Sequence, residues 1–215
     1  MIKQISFDHG WYYFYRMHSP KTEKLCEKCY GSLNKYLNDV FENCPNDYFH
    51  SGPRGSRLKF KLNNLNLVET KNHELSKLTT LGLEENQNRY KSAHSRVQVF
   101  MLENDSNTLA VEVPLWFEPG EMETFNELFG NEGPLTGHID VLRIEDGLVW
   151  IWDYKPNASL EKFAATQVFF YALMLSKRTG IPLDKFRCGY FDSANAYMFK
   201  PTKEMLNRDS LKKFI

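Results

Sequence analysis

The span from Leu135 to Thr179 constrains the fold more than any other part of the chain. Leu135–Ile144 and Leu148–Lys155 are apolar runs joined by Glu145-Asp146-Gly147. An Asp-Gly turn between two such runs is a strong hairpin signal. Pro156 closes the second strand. Leu160 to Thr179 is then apolar almost all round, so the helix it forms must be buried on most sides. Gly180 and Pro182 stop that helix. Leu109–Phe117 reads as a strand before the hairpin, and Phe186–Phe191 and Ala196–Phe199 as strands after the helix. Residues 84–103 lack Gly and Pro and carry Tyr90, His94, Val97 and Met101 at helical spacing, with His94 on the inner stripe. From residue 84 the order is helix, three strands, helix, two strands. The expected class is α/β, a central mixed β-sheet flanked by helices.

Residues 1–83 are harder to organise and are read as an N-terminal elaboration, with 84–215 as the core. Trp11-Tyr12-Tyr13-Phe14-Tyr15 is expected as a strand or packed segment, its aromatics in the core rather than forming a base-stacking platform. A helix is expected near 22–42, from the recurrence of Leu25, Leu33, Tyr36, Leu37, Val40 and Phe41. Leu58 to Leu62 alternates apolar with basic residues, as a short strand with one wet face would.

Formal net charge is zero, which counts against a strongly basic nucleic-acid binder, although a local patch is sufficient for binding. Arg54, Arg57, Lys59 and Lys61 form one such cluster; Lys200, Lys203, Arg208, Lys212 and Lys213 form another. The stretch from Glu112 to Asp140 has no Lys or Arg, and its loop 118–132 carries Glu118, Glu121, Glu123, Glu127 and Glu132. Such a loop could narrow access to a site or dock a basic protein partner. With no apolar h-region at Met1–Ser6 and no run long enough to span a bilayer, an intracellular, cytoplasmic protein is expected. Cys26-x-x-Cys29 with Cys44 could offer thiolates to zinc or an iron–sulfur cluster, but a lone CxxC favours reduced structural thiols.

The chemistry concentrates in the hairpin and its helix. Asp140 follows Ile139 on one strand and Asp153 follows Trp152 on the next; both lie at similar distances from Gly147 and should fall nearly opposite. Paired carboxylates are natural ligands for magnesium or manganese. Lys155 shares side-chain parity with Asp153, which brings an ammonium beside them. Tyr154 points the other way, leaving its backbone carbonyl to face a metal. Gln167 and Tyr171 are four apart on one helical face. In so apolar a helix, a glutamine needs a partner.

Taken in order, His94, Glu112, Gly137-His138-Ile139-Asp140, Asp153-Tyr154-Lys155 and Gln167-x-x-x-Tyr171 resemble the RecB-type branch of the PD-(D/E)XK nuclease superfamily over about residues 84–200. The resemblance implies a restriction-endonuclease-like core. It implies Asp140, Asp153, His94 and the Tyr154 carbonyl as metal ligands, with Lys155 positioning the attacking water. Gln167 and Tyr171 would line the site, and Glu112 matches a frequent acidic position. Pro156 departs from the small polar residue common after the lysine. Three cysteines precede the core and only Cys188 lies late, which does not reproduce the iron–sulfur pattern of some relatives. The expected activity is a magnesium- or manganese-dependent deoxyribonuclease, an exonuclease or end-processing enzyme of DNA repair type, with single-stranded DNA or DNA ends favoured. The alternatives are a structure-selective endonuclease and a non-catalytic nucleic-acid-binding subunit that keeps the fold.

Overall fold

The computed structural model describes residues 1–122, 129 and 133–206. Three of the acidic positions named above, Glu123, Glu127 and Glu132, and the basic residues Arg208, Lys212 and Lys213 lie outside the described residues.

The hairpin forms β5 (Leu135–Glu145) and β6 (Leu148–Tyr154), with Asp146 and Gly147 at φ 50° and 68° in the turn. Positive φ at both central residues matches the right-handed twist of the flanking strands, which is why Asp-Gly occupies this position. Together with β1 (Ile2–Asp8), β2 (Tyr12–His18), β3 (Val68–Lys71), β4 (Thr108–Phe117), β7 (Phe186–Phe191) and β8 (Asn195–Phe199), they make one sheet in the order β1-β2-β4-β5-β6-β7-β8-β3. The pairing of β6 with β7 is parallel and every other pairing is antiparallel. The sheet is mixed, as expected from the sequence.

Helices cover both faces. The apolar helix α5 (Ala164–Thr179) packs with α2 (Gly31–Asn43) on one face, over Leu142, Ile151 and Cys188 among others. On the other face, α3 (Glu74–Glu85) and α4 (Ala93–Asn104) bury Leu75, Val97 and Met101 against Val111, Val141 and Trp152. Within β6, Val149 and Ile151 join the α5 layer while Trp150 and Trp152 join the α3–α4 layer, the period-2 alternation of a strand buried on both sides.

Several N-terminal expectations are corrected. The helix read at 22–42 is two: α1 (Ser19–Cys26), started by His18 Nδ1 accepting from the Lys21 N–H, and α2, which begins afresh at Gly31. The helix read at 84–103 is also divided, with α3 ending at Glu85 and α4 starting at Ala93, so Tyr90 lies in the connection. Leu58–Leu62 is not a strand. Phe60 and Leu62 are buried as the alternation required, but the segment docks on α5, where Thr166 Oγ1 donates to the Phe60 carbonyl at 2.6 Å. The alternation reported burial correctly and said nothing of a hydrogen-bonding neighbour. Residues 1–18 supply two strands at one edge of the sheet, and Val68–Lys71 supplies the other edge.

Candidate active site

The site lies where the central hairpin opens. The β5–β6 ladder runs from Glu145–Leu148 to a last pair, Val141–Trp152, and one further step would set Asp140 opposite Asp153. At that step the Tyr154 N–H donates to Asp140 Oδ2 at 2.8 Å instead of to a β5 carbonyl. Meanwhile β6 stays paired with β7, and the Lys155 N–H reaches the Phe191 carbonyl at 2.9 Å. The two central strands thus part while β6 keeps its other neighbour, and the gap exposes the carboxylates to a cavity of about 340 Å³.

All of the side chains singled out in the sequence, except Tyr154, line that cavity: His94, Glu112, Asp140, Asp153, Lys155, Gln167 and Tyr171. Lys155 Nζ lies 2.6 Å from Asp153 Oδ2. Gln167 Nε2 donates to Asp153 Oδ1 at 2.8 Å and lies 3.0 Å from the Tyr171 hydroxyl. This answers the need for a partner in an apolar helix: the glutamine amide fixes the aspartate. His94 Nε2 is 3.7 Å from Asp140 Oδ2. Ser92 Oγ caps α4 by accepting from the Ser95 N–H, which holds His94 in the first turn, facing the strands. The Tyr154 ring points to the opposite layer, against Phe191 and His94.

Glu112 lies opposite Asp140, between the pairs Val111–Val141 and Val113–Ile139, and has φ 53°. A left-handed glutamate inside a strand is strained, and such strain collects at functional positions. Gln98 on α4 donates to Glu112 Oε1 at 2.8 Å. Gln98 was not singled out in the sequence, although it lies one helical turn after His94.

The electrostatics are those of crowded buried acids. Burial first, and then the charge of Asp140, hold both Glu112 and Asp153 well above the ordinary carboxylate range. Burial works against the Lys155 ammonium, but Asp153 and Asp140 outweigh it and raise its pKa. Two buried carboxylates and the half-buried Glu112, with one close ammonium, form a set that a hard divalent cation would relieve, and oxygen donors suit magnesium or manganese. Among the described residues no three His, Cys, Asp or Glu side chains already converge on one point. Asp153 is instead turned to Lys155 and Gln167. The chemistry of the donors fits such a cation.

The cysteines offer no comparable set. All four are free; Cys29 is exposed, and burial pushes the Cys26 and Cys44 thiols up to about 12, away from the thiolate form that metals bind. In the acidic loop, Glu121 is ion-paired with Arg178 of α5.

Two glycines make room for Tyr171. A Cβ on Gly137 would lie 2.9 Å from Tyr171 Cζ, and one on Gly55 would lie 2.7 Å from its Cε1. The glycine of Gly137-His138-Ile139-Asp140 is therefore required by the close approach of the ring.

His138, also on the cavity wall, joins a buried chain. Its Nε2 lies 2.8 Å from His9 Nδ1, and His9 Nε2 lies 2.9 Å from Asn46 Oδ1. The Asn46 oxygen only accepts, so His9 donates from Nε2 and takes the His138 proton at Nδ1. Burial lowers the His9 pKa to about 4 and holds His138 well below its usual range, so both rings stay neutral. As pH falls from 6.5 towards 4, the unfolded chain takes up the His9 proton and the folded chain does not, so this residue costs stability across that window. The expected loss is about 3 kcal/mol. Glu112 and Asp153 act with the opposite sign, gaining stability as pH falls below their raised pKa values. The wild type is therefore compared with His9→Gln in denaturant melts at pH 7 and 5. The wild type should lose more stability than the variant, and equal losses would refute the assignment.

A family model of the PD-(D/E)XK nuclease superfamily matches residues 39–213, whereas no curated protein and no solved structure matches the chain. No helix among the described residues is long and apolar enough to cross a membrane. With a mixed sheet opening onto an Asp–Asp–Lys cluster and a family match over most of its length, the chain belongs to the PD-(D/E)XK nuclease superfamily.

Proposed function

We propose that this protein is a metal-dependent deoxyribonuclease acting at ends, with its catalytic centre at Asp140, Asp153 and Lys155. The observation that carries this reading is that Asp153 meets both Lys155 and Gln167 within one cavity that also receives Asp140, Glu112 and His94. Asp140 and Asp153, with the Tyr154 carbonyl and His94, would hold magnesium or manganese. Bound there, such an ion lowers the pKa of a water and offsets charge on the phosphoryl oxygens.

The chain's own groups do the rest. The Lys155 ammonium, kept charged by its two aspartates, sits where it can neutralise a phosphate oxygen and orient the attacking water. Gln167 holds Asp153 in one orientation, and the Tyr171 hydroxyl holds Gln167. Glu112, half-buried and disposed to keep its proton, can exchange one with water in the cavity. The order His94, Glu112, Asp140, Asp153, Lys155, Gln167 and Tyr171, which resembles RecB-type nucleases, supports end-directed rather than sequence-specific cleavage.

Labelled linear and circular single-stranded DNA, incubated with magnesium or manganese, test this. Linear DNA should be shortened from its ends and circular DNA left intact. Cleavage of the circle at a comparable rate would favour the endonuclease reading.

A further inference from the structure

Among the described residues, the large exposed aromatic side chains gather at one place. Trp11, in the β1–β2 turn, is 75% exposed, and Tyr12 and Phe14 on β2 are 67% and 39% exposed. No other aromatic is a large exposed hydrophobic among the described residues. Strand alternation explains the division. Tyr15 and Met17 face the core, and the Tyr15 hydroxyl donates to the Leu37 carbonyl. Tyr12, Phe14 and Arg16 fall on the opposite face. Their β1 partners, Asp8, Ser6 and Gln4, offer no apolar cover.

Core packing does not account for these three rings. All three line the same cavity as Asp140, Asp153 and Lys155, so the apolar strip continues directly into the acidic centre. The Arg16 guanidinium lies 5.3 Å from the Phe14 ring centre and 5.8 Å from that of Tyr90, which extends the strip with a cation. We propose that Trp11, Tyr12 and Phe14 form a ledge on which unpaired bases stack, making the cavity selective for single-stranded DNA. The proposal rests on the nuclease reading and names its substrate class.

Two physical arguments favour a single strand. Bases in a duplex already have both faces covered by neighbours, whereas unpaired bases are free to stack on aromatic rings. The cavity also carries only a small positive surplus: its cations Arg16, Arg54 and Lys155 face Asp140 and Asp153, while Glu112 is disposed to keep its proton. Charge alone then gives little hold on the backbone, and stacking supplies what charge does not. With at most three cations engaged, log Kd should vary with log salt with a slope no steeper than about 2.

The test uses the full chain, a labelled oligothymidylate and a blunt duplex of the same length. Binding is measured in calcium, cleavage in magnesium and manganese. Trp11→Ala/Tyr12→Ala should raise Kd and KM for the single strand by about 10- to 100-fold. It should leave saturated kcat within about twofold and duplex affinity unchanged, while Trp11→Phe/Tyr12→Phe should recover most of the single-strand affinity. Unchanged single-strand binding, or equal losses on strand and duplex, overturns the ledge. So does conversion of a dimer to a monomer at constant oligonucleotide affinity, which would make the strip a contact between two copies. The two readings fail separately. A wild type that cuts no DNA but loses single-strand binding on substitution removes the nuclease and keeps the ledge. A wild type that cuts DNA and is indifferent to the substitutions does the reverse.

Discussion

Lys155→Ala is expected to lower the rate of DNA cleavage by about 10²- to 10³-fold, the usual effect of removing one preorganised donor aimed at the charge that develops in a transition state. Lys155 makes the 2.6 Å contact with Asp153, a nearly fully buried carboxylate that also feels Asp140. Loss of the ammonium would remove both the positive charge proposed to meet the phosphate and the group that favours ionised Asp153. Asp153→Ala should be at least as damaging, because the Gln167 amide then has no aspartate to hold. Both variants should keep the wild-type circular dichroism spectrum, since the ladders β5–β6 and β6–β7 form without these side chains. Cleavage at the wild-type rate by either variant would sink the assignment of the centre.

Gly137→Ala should cost about 3 kcal/mol, the upper part of the range for overpacking a filled interior. Gly55 and Gly137 both close on the same ring atom, Tyr171 Cε1, so the ring is already crowded there by two stretches of backbone. Any movement of the ring drags the Tyr171 hydroxyl from Gln167, and Gln167 orients Asp153. Stability and kcat should therefore fall together. A cycle with Tyr171→Ala separates the clash from other causes: the penalty at Gly137 should vanish when the ring is absent. If it persists, backbone conformation rather than crowding explains the glycine.

These expectations draw on features of different legibility. The hairpin was readable because its turn is local: Asp146 and Gly147 bring the two strands together whatever surrounds them. Parity along β6 then put Asp153 and Lys155 on one face, and the count back from Gly147 set Asp140 beside them. Helix α5 was readable because it is apolar on all sides. The break at Gly31 and the gap between α3 and α4 were not, since a continuous apolar stripe does not reveal a change of helix axis. Leu58–Leu62 showed true alternation, but its neighbour turned out to be α5 rather than a strand.

The aromatic run Trp11–Tyr15 shows the same limit from the other side. Composition marked these rings for the core, and Tyr15 is there. Trp11, Tyr12 and Phe14 are outside, on a part of β2 that has no β4 partner, since β2 pairs with β4 through only Arg16 and Met17. The left-handed Glu112 and its partner Gln98 belong to this class too, since nothing local in Val111-Glu112-Val113 requires a positive φ.

By itself, then, the sequence determined the α/β core, the opposed aspartates, the lysine beside them and the helix that faces them. Those follow from turn chemistry, strand parity and helical periodicity, all of which act over a few residues. Tertiary structure alone decided that β5 and β6 part at Asp140, that Gly55 and Gly137 both close on the Tyr171 ring, and that an N-terminal hairpin brings its exposed rings to the same cavity. Each of these depends on contacts between segments far apart in the chain, where the fold as a whole chooses which faces meet.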